Sequence, residues 1–351
     1  MKICIIGEFP PPYGGMAVQA EMLLQNLRAE GISTCVIKRN FSFEGKLAWI
    51  GRLKIIRSIF RYIIFNTALL RKIPQANALY IFTNSYLNFY LYTVSPVIFG
   101  KLLGKKTILS YHGGLAQEFL AKRSHFFARY ILKLADCVCV PSGYLKDVFQ
   151  KIGISAAVIP NIIDIRQFDF RLRDKLTPNF IVARHLKPEY NTEMIIRAFN
   201  IIHTRYPQAR LKICGKGPEK PRLEKLTYDL HLHGAVEFLG AVENNRMPQV
   251  YDSADFFLNG SSVDNVPVAI LEAFACGLAV ISTNAVGIPY LVRNGHNGLL
   301  VSTNDYQAMA NSALELLENQ PLAKTLIANA RKTIAEYEWQ NIKSKLLRLL
   351  Q

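Results

Sequence analysis

Two carboxylates stand eight residues apart in Gly260-Ser-Ser-Val-Asp264-Asn-Val-Pro-Val-Ala-Ile-Leu-Glu272-Ala-Phe-Ala-Cys-Gly277. The first lies just beyond an apolar strand, the second inside an apolar helix. An ionised carboxylate offers acceptors only, so a loop-borne and a helix-borne acid suit a ligand rich in hydroxyls, such as a sugar or ribose.

Other residues that can do chemistry sit after strand-like runs. Tyr13-Gly14-Gly15 follows the first strand and precedes a helix, where glycines admit a phosphate to helix-start amides; a plain tight turn is the other reading. It is neither a Gly-Lys-Ser/Thr phosphate loop nor Gly-x-Gly-x-x-Gly. His112 ends a strand and precedes Gly113-Gly114. Arg184 ends another, with Lys187 nearby, and either cation can neutralise a diphosphate. Gly215-Lys216-Gly217 after a further strand is again a turn open to a ligand. Taken singly, a lone histidine or surface arginine is more often structural.

Short apolar runs alternate with helical patterns, which predicts α/β architecture with parallel sheets. Candidate strands are 2–7, 33–39, 78–83, 106–111, 137–141 and 157–159, then 179–183, 209–214, 237–239, 256–259, 279–282 and 298–301. Helices are expected at 16–30, 46–71, 87–103, 124–135, 192–206 and 339–350. The doubly wound pattern restarts after a charged, weakly patterned linker, 164–178. The expected domains are therefore 1–163 and 164–337, with 338–351 packing back on the first. Ligands of such sheets bind beyond the carboxyl ends of the strands.

The 351 residues carry 42 Lys+Arg against 26 Asp+Glu, a net +16, which implies an acidic partner. Cys4, Cys35, Cys137, Cys139, Cys214 and Cys276 have neither metal-ligand spacing nor a disulfide pattern, and read as reduced thiols in the cytoplasm. The N-terminus enters a strand without a leader pattern. There is no Asp-x-Asp and no metal-spaced ligand cluster, so no metal site is expected. Nucleic acid is not expected either: cations intermix with large aliphatics, and no recognition motif is present. The run 46–72 mixes hydrophobes with cations and no acid, and 122–133 is similar. Both read as amphipathic helices for an anionic membrane surface, against a packing helix with solvated cations.

In order, Tyr13-Gly14-Gly15, Tyr111-His112-Gly113-Gly114, Pro160-Asn161, Val182-Ala-Arg184, Cys214-Gly215-Lys216-Gly217, Phe238-Leu-Gly240 and Asp264-x7-Glu272 resemble the family-4 retaining glycosyltransferases. The resemblance covers nearly the whole chain. It implies a GT-B fold of two Rossmann-like domains, the second binding a nucleoside-diphosphate sugar, the first taking the acceptor. It implies transfer of a hexose-type sugar with retention, without metal or other cofactor. Carried over, Glu272 contacts the ribose, and Asp264 and His112 contact the transferred sugar. Arg184, Gly14 and Gly15 stabilise the diphosphate, with Lys187 and Lys216 as further cations. Gly215, Gly217, Asn265, Val266 and Val268 line the donor, and Tyr13 and Asn161 lie on the acceptor side. With the basic amphipathic runs, this points to a glycan or lipid-linked acceptor at the inner face of the cell membrane, as in bacterial surface polysaccharide synthesis.

Three departures from the family pattern stand out. Asp264 stands where Glu is usual, Asn265-Val-Pro267 replaces Gly-Phe-Gly, and Tyr190 occupies the place of a lysine. A GT-B sugar-nucleotide epimerase and a non-catalytic partner subunit are the alternatives.

Overall fold

A computed structural model describes residues 1–11, 14–41, 53–122 and 125–350. It divides into two compact units, Met1–Ile162 with Ile342–Gln351, and Ile163–Asn341.

In the first unit β1 (Lys2–Gly7), β2 (Ser33–Lys38), β3 (Ala78–Thr83), β4 (Lys106–Tyr111), β5 (Cys137–Val140) and β6 (Ala157–Val158) form one parallel sheet. Their order is β2-β1-β3-β4-β5-β6. The runs from Ile3 to Ile6 and Ala78 to Phe82 are buried throughout, as expected of strands covered on both faces. Because β1 pairs with both β2 and β3, the order reverses there, and sheets of this kind take ligands beyond the carboxyl ends of the strands at such a reversal.

Several helices differ from expectation. The stretch 87–103 is two helices, Leu87–Tyr92 and Val94–Leu102. They part at Thr93, whose hydroxyl is 2.5 Å from that of Thr83, and Pro96 falls in the second helix's first turn, where its missing N–H is harmless. Within 124–135 the helix is Phe126–Leu134, preceded by Ala116–Ala121, which periodicity missed. Of 46–71, the described part is a helix over Lys54–Lys72, and 46–52 lie outside the described residues. Arg123 and Ser124 of the second basic run do too.

The second unit's sheet contains β7 (Asn179–Ala183), β8 (Arg210–Cys214), β9 (Val236–Gly240), β10 (Phe256–Asn259), β11 (Ala279–Thr283) and β12 (Leu299–Val301). The order β12-β11-β10-β7-β8-β9 is that of the dinucleotide-binding fold, with its reversal between β7 and β10. Successive side chains of β10 feed opposite layers. Phe256 stacks on Phe180 at 4.9 Å, while Phe257 joins Tyr251 and Phe274 on the other face.

The segment 164–178 is tied to this unit. Buried Arg173 ion-pairs with Asp255 and donates to the carbonyls of Cys276, Gly277 and Ala254. Those first two carbonyls close the Val268–Cys276 helix, where a cation complements the helix dipole. Gly277 ends that helix at φ +74°, with Leu278 N–H donating to Ala273 O at 3.0 Å.

Candidate functional site

Arg184 directly follows β7, and Asp264 lies on the loop that follows β10, so the sheet reversal places the two loops side by side. Arg184 Nη2 is ion-paired with Asp264 Oδ2, both side chains being mostly buried. The guanidinium also lies 4.3 Å from the ring centroid of Tyr190 and 3.5 Å from Ser261 Oγ. Burial pulls the Arg184 pKa below its usual value, and Tyr190, Tyr251 and Glu272 oppose that. An arginine stays charged regardless.

Glu272 sits on the second turn of the Val268–Cys276 helix, and its Oε2 accepts from Tyr251 OH at 2.7 Å. Although its edge meets solvent, protein encloses the carboxyl, and this desolvation raises its pKa to about 7. The Tyr251 hydrogen bond and the Arg184 charge pull the other way. Tyr251 itself is wholly buried, and desolvation beside Glu272 lifts its pKa far up, so it acts as a donor.

The loop between the acids is braced from outside. Asp264 Oδ1 accepts from Asn265 N–H at 2.9 Å, and Asp264 O accepts from Gly287 N–H at 2.9 Å. A Cβ on Gly287 would stand 2.6 Å from Asn265 Oδ1, so only glycine allows this seating. Ser262 N–H and Oγ both donate to Glu189 O, which joins the loop to the turn carrying Tyr190. Asn265 and Val266 are buried, and Val268 opens the helix behind Pro267, which lacks an N–H. Lys187 and Lys216 are exposed, with Lys187 3.7 Å from Glu189.

Gly215 and Gly217 have a structural use that spacing did not reveal. A Cβ on Gly215, at φ +145°, would fall 1.8 Å from Arg184 O, and one on Gly217 2.1 Å from Leu186 O. Their lack of a side chain lets the turn after β8 pack on the backbone that presents Arg184.

In the first unit, His112 directly follows β4, and its N–H donates to Thr83 O at 2.9 Å. His112 and Asn161 line one small pocket with Gln19, Tyr80, Phe82, Ser110 and Pro160. Gly14 caps the Gly15–Ala29 helix in an extended conformation, with open space where a Cβ would be. Tyr13 lies outside the described residues.

Sequence reasoning did not single out Tyr251, Ser261, Ser110 or Tyr80. A buried hydroxyl needs a partner, but the sequence does not name that partner. Among the described residues no group of three or more His, Cys, Asp or Glu could hold a metal ion, and no helix is long and apolar enough to cross a membrane.

A cation paired to an acid at a sheet reversal, beside a helix-borne carboxylate, can receive an anion and hydroxyls together. Two doubly wound parallel sheets in one chain are the architecture of the GT-B fold. Two family descriptions match in succession: "Glycosyltransferase Family 4" over residues 13–167 and "Glycosyl transferases group 1" over 164–333. Through these matches the chain belongs to a GT-B-fold glycosyltransferase family.

It is 32% identical over 185 residues to an exopolysaccharide phosphotransferase of Streptomyces coelicolor, covering 52% of this chain and 19% of that protein. It is 28% identical over 237 residues to the GDP-mannose-dependent alpha-(1-6)-phosphatidylinositol monomannoside mannosyltransferase of Mycobacterium tuberculosis, covering 62% of each. The chain therefore spans less than two thirds of either relative. Among solved structures, HepE of Anabaena in complex with UDP-glucose superposes with a TM-score of 0.74 at 18% identity, over 100% of this chain and 99% of that one. Sucrose-phosphate synthase of Thermosynechococcus elongatus gives 0.79 at 21% identity, over 99% and 98%. At this distance the likeness is one of fold.

Proposed function

We propose that the chain is a nucleotide-sugar-dependent, retaining glycosyltransferase that moves a hexose-type sugar to a hydroxyl of a glycan or lipid-linked acceptor. The observation that carries this reading is the grouping of Arg184, Asp264 and Glu272 at the sheet reversal of the second unit. Glu272, oriented by Tyr251, accepts from the ribose hydroxyls. The diphosphate takes Arg184 from Asp264, whose freed carboxylate then accepts from hydroxyls of the transferred sugar. Amides at the start of the Val268–Cys276 helix and the exposed Lys187 and Lys216 add positive potential. As the glycosidic bond breaks, charge develops on the leaving diphosphate, and these preorganised groups stabilise it without a metal. The acceptor hydroxyl attacks from the face the diphosphate leaves and gives its proton to that diphosphate. Residues 1–163 serve the acceptor, with His112 touching the sugar and Asn161 nearby, and 164–337 hold the donor.

In this reading the acceptor lies at the inner face of the cell membrane, and two helix surfaces support it. On the Lys54–Lys72 helix Phe65 and Leu69 face the core, while Ile55, Ile59 and Ile63 are more than half exposed in a row near Arg57 and Arg61. Phe126 and Tyr130 on the Phe126–Leu134 helix are exposed as well. Apolar side chains among cations, with no acid on the longer helix, suit an anionic bilayer.

Binding of nucleoside diphosphates and their sugars, followed by turnover with lipid-linked acceptors, tests the reading. Glu272→Ala is expected to remove most donor affinity, and unchanged affinity contradicts the site. Acceptor-dependent release of nucleoside diphosphate supports transfer. Donor epimerisation without acceptor indicates an epimerase, and binding without any turnover a non-catalytic partner. Flotation with anionic vesicles at low salt tests the membrane contact, and absence of binding rejects it.

A further inference from the structure

The imidazole of His112 is held by a line of hydroxyls running back into the first sheet. Its Nε2 lies 2.8 Å from Ser110 Oγ, and Ser110 Oγ accepts from Tyr80 OH at 3.1 Å. Tyr80 OH is in turn 3.5 Å from Cys139 Sγ. The register explains the line: Ser110 pairs with Phe82 on one side and Cys139 on the other, and Tyr80 is two residues from Phe82. All four side chains therefore share one sheet face. The Phe82 ring, 5.4 Å away and tilted by 30°, fixes the plane of the imidazole.

Each hydroxyl has one proton to give. Tyr80 donates its own to Ser110 Oγ, and the thiol of Cys139 is a weak competitor for the serine proton. That proton therefore goes to the closer and better acceptor, Nε2. A neutral imidazole accepting at Nε2 carries its hydrogen on Nδ1, which bonds none of the described residues.

We propose that Tyr80 and Ser110 are positioning residues that fix His112 as the Nδ1–H tautomer, so that it meets its ligand as a neutral donor to an oxygen. Burial supports this by holding the imidazole pKa down to about 4, well below neutrality. The identity of that oxygen, a hydroxyl of the transferred sugar, rests on the glycosyltransferase reading; the tautomer does not. A neutral ring lends no positive charge to a leaving diphosphate and accepts no proton through Nδ1. Those tasks fall to the groups around Arg184.

Histidine-labelled full-length protein, read by two-bond proton–nitrogen correlation at pH 7 and assigned with His112→Gln, tests the proposal. The expected pattern is a protonated Nδ1 and an unprotonated Nε2. The reverse pattern, or an imidazolium, overturns it. Ser110→Ala should convert the single tautomer to a mixture and lower kcat/KM about tenfold, the effect of one lost hydrogen bond. Ser110→Thr should restore both. An unchanged tautomer in Ser110→Ala overturns the positioning role. Wild-type protein that shows the expected tautomer but turns over no nucleotide sugar refutes the glycosyltransferase reading and leaves the tautomer standing.

Discussion

Tyr190 lies against Arg184, the guanidinium carbon 4.3 Å from the ring centroid, at the position where the resembled family carries a lysine. The ring holds the arginine's plane while Asp264 takes its edge. One well-oriented cation thus stands where the family pattern supplies two. Stacked cation–aromatic contacts contribute about 1 kcal/mol when partly desolvated. Tyr190→Ala is therefore expected to weaken nucleotide-sugar binding roughly fivefold, and Tyr190→Phe to leave it within about twofold. Titration calorimetry checks both, and equal losses would show that the hydroxyl, rather than the ring, matters.

Glu272 makes the second unit pH-sensitive. Its folded pKa of about 7 lies above the ordinary 4.5, so the folded state holds more protons across that interval. Stability from this group is complete below pH 4.5 and declines until about 7, by roughly 3 kcal/mol at most. Glu272→Gln keeps an acceptor for Tyr251 and removes the ionisation. Its stability relative to wild type should rise between pH 5 and 7 and stay level above, as read from denaturant midpoints. Hydroxyl donors favour the ionised carboxylate, so nucleotide-sugar affinity should increase through the same window.

His112 has the opposite sign. Its folded pKa of about 4 lies below the ordinary 6.5, so the unfolded chain binds the proton first. Acidification from pH 6.5 to 4 should remove roughly 3 kcal/mol at most from the first unit. His112→Gln should flatten that part of the profile, measured as thermal midpoint against pH.

The glycines after β8 are steric necessities. Gly215→Ala drives a Cβ into Arg184 O at a φ that side chains avoid, and about 3 kcal/mol or more of destabilisation is expected. Gly234→Ala, with open space around its Cβ, should change stability by less than about 1 kcal/mol. Denaturant unfolding of the pair provides an internal control.

Arg173→Ala removes a buried guanidinium from Asp255 and from the carbonyls that end the Val268–Cys276 helix. A carboxylate left buried without its cation typically costs about 3–5 kcal/mol. The midpoint of chemical unfolding should fall by a corresponding amount.

Strand content and both sheets' parallel character were legible because buried strands leave uninterrupted apolar runs, as at Ile3–Ile6 and Phe256–Leu258. The two acids and Arg184 were legible because each follows or borders such a run. Tyr251 was not, since its hydrogen bond to Glu272 joins residues 21 apart on two different helices, and neither residue's neighbours signal it. Ser110 escaped for a different reason: a serine inside a strand looks like any small buried residue until the neighbouring strands bring Tyr80 and Cys139 alongside. The turn at Gly215 and Gly217 reads from the sequence as one that a ligand can approach, and the structure adds that the chain's own carbonyls stand where their Cβ atoms would be. Sequence spacing marks where a glycine is needed without saying what approaches it.

Ile163 N–H donates to Tyr337 O at 2.9 Å, and Ile163 bridges Glu338. The chain thus enters and leaves the second unit at the same point. That unit is an insertion whose ends are already stitched together, and loop closure adds little entropy when the ends meet in the native state. Residues 163–341 therefore form a natural cassette: excised, exchanged between relatives, or circularly permuted with new ends at an exposed turn, it carries Arg184, Asp264, Tyr251 and Glu272 with it as one inheritable module.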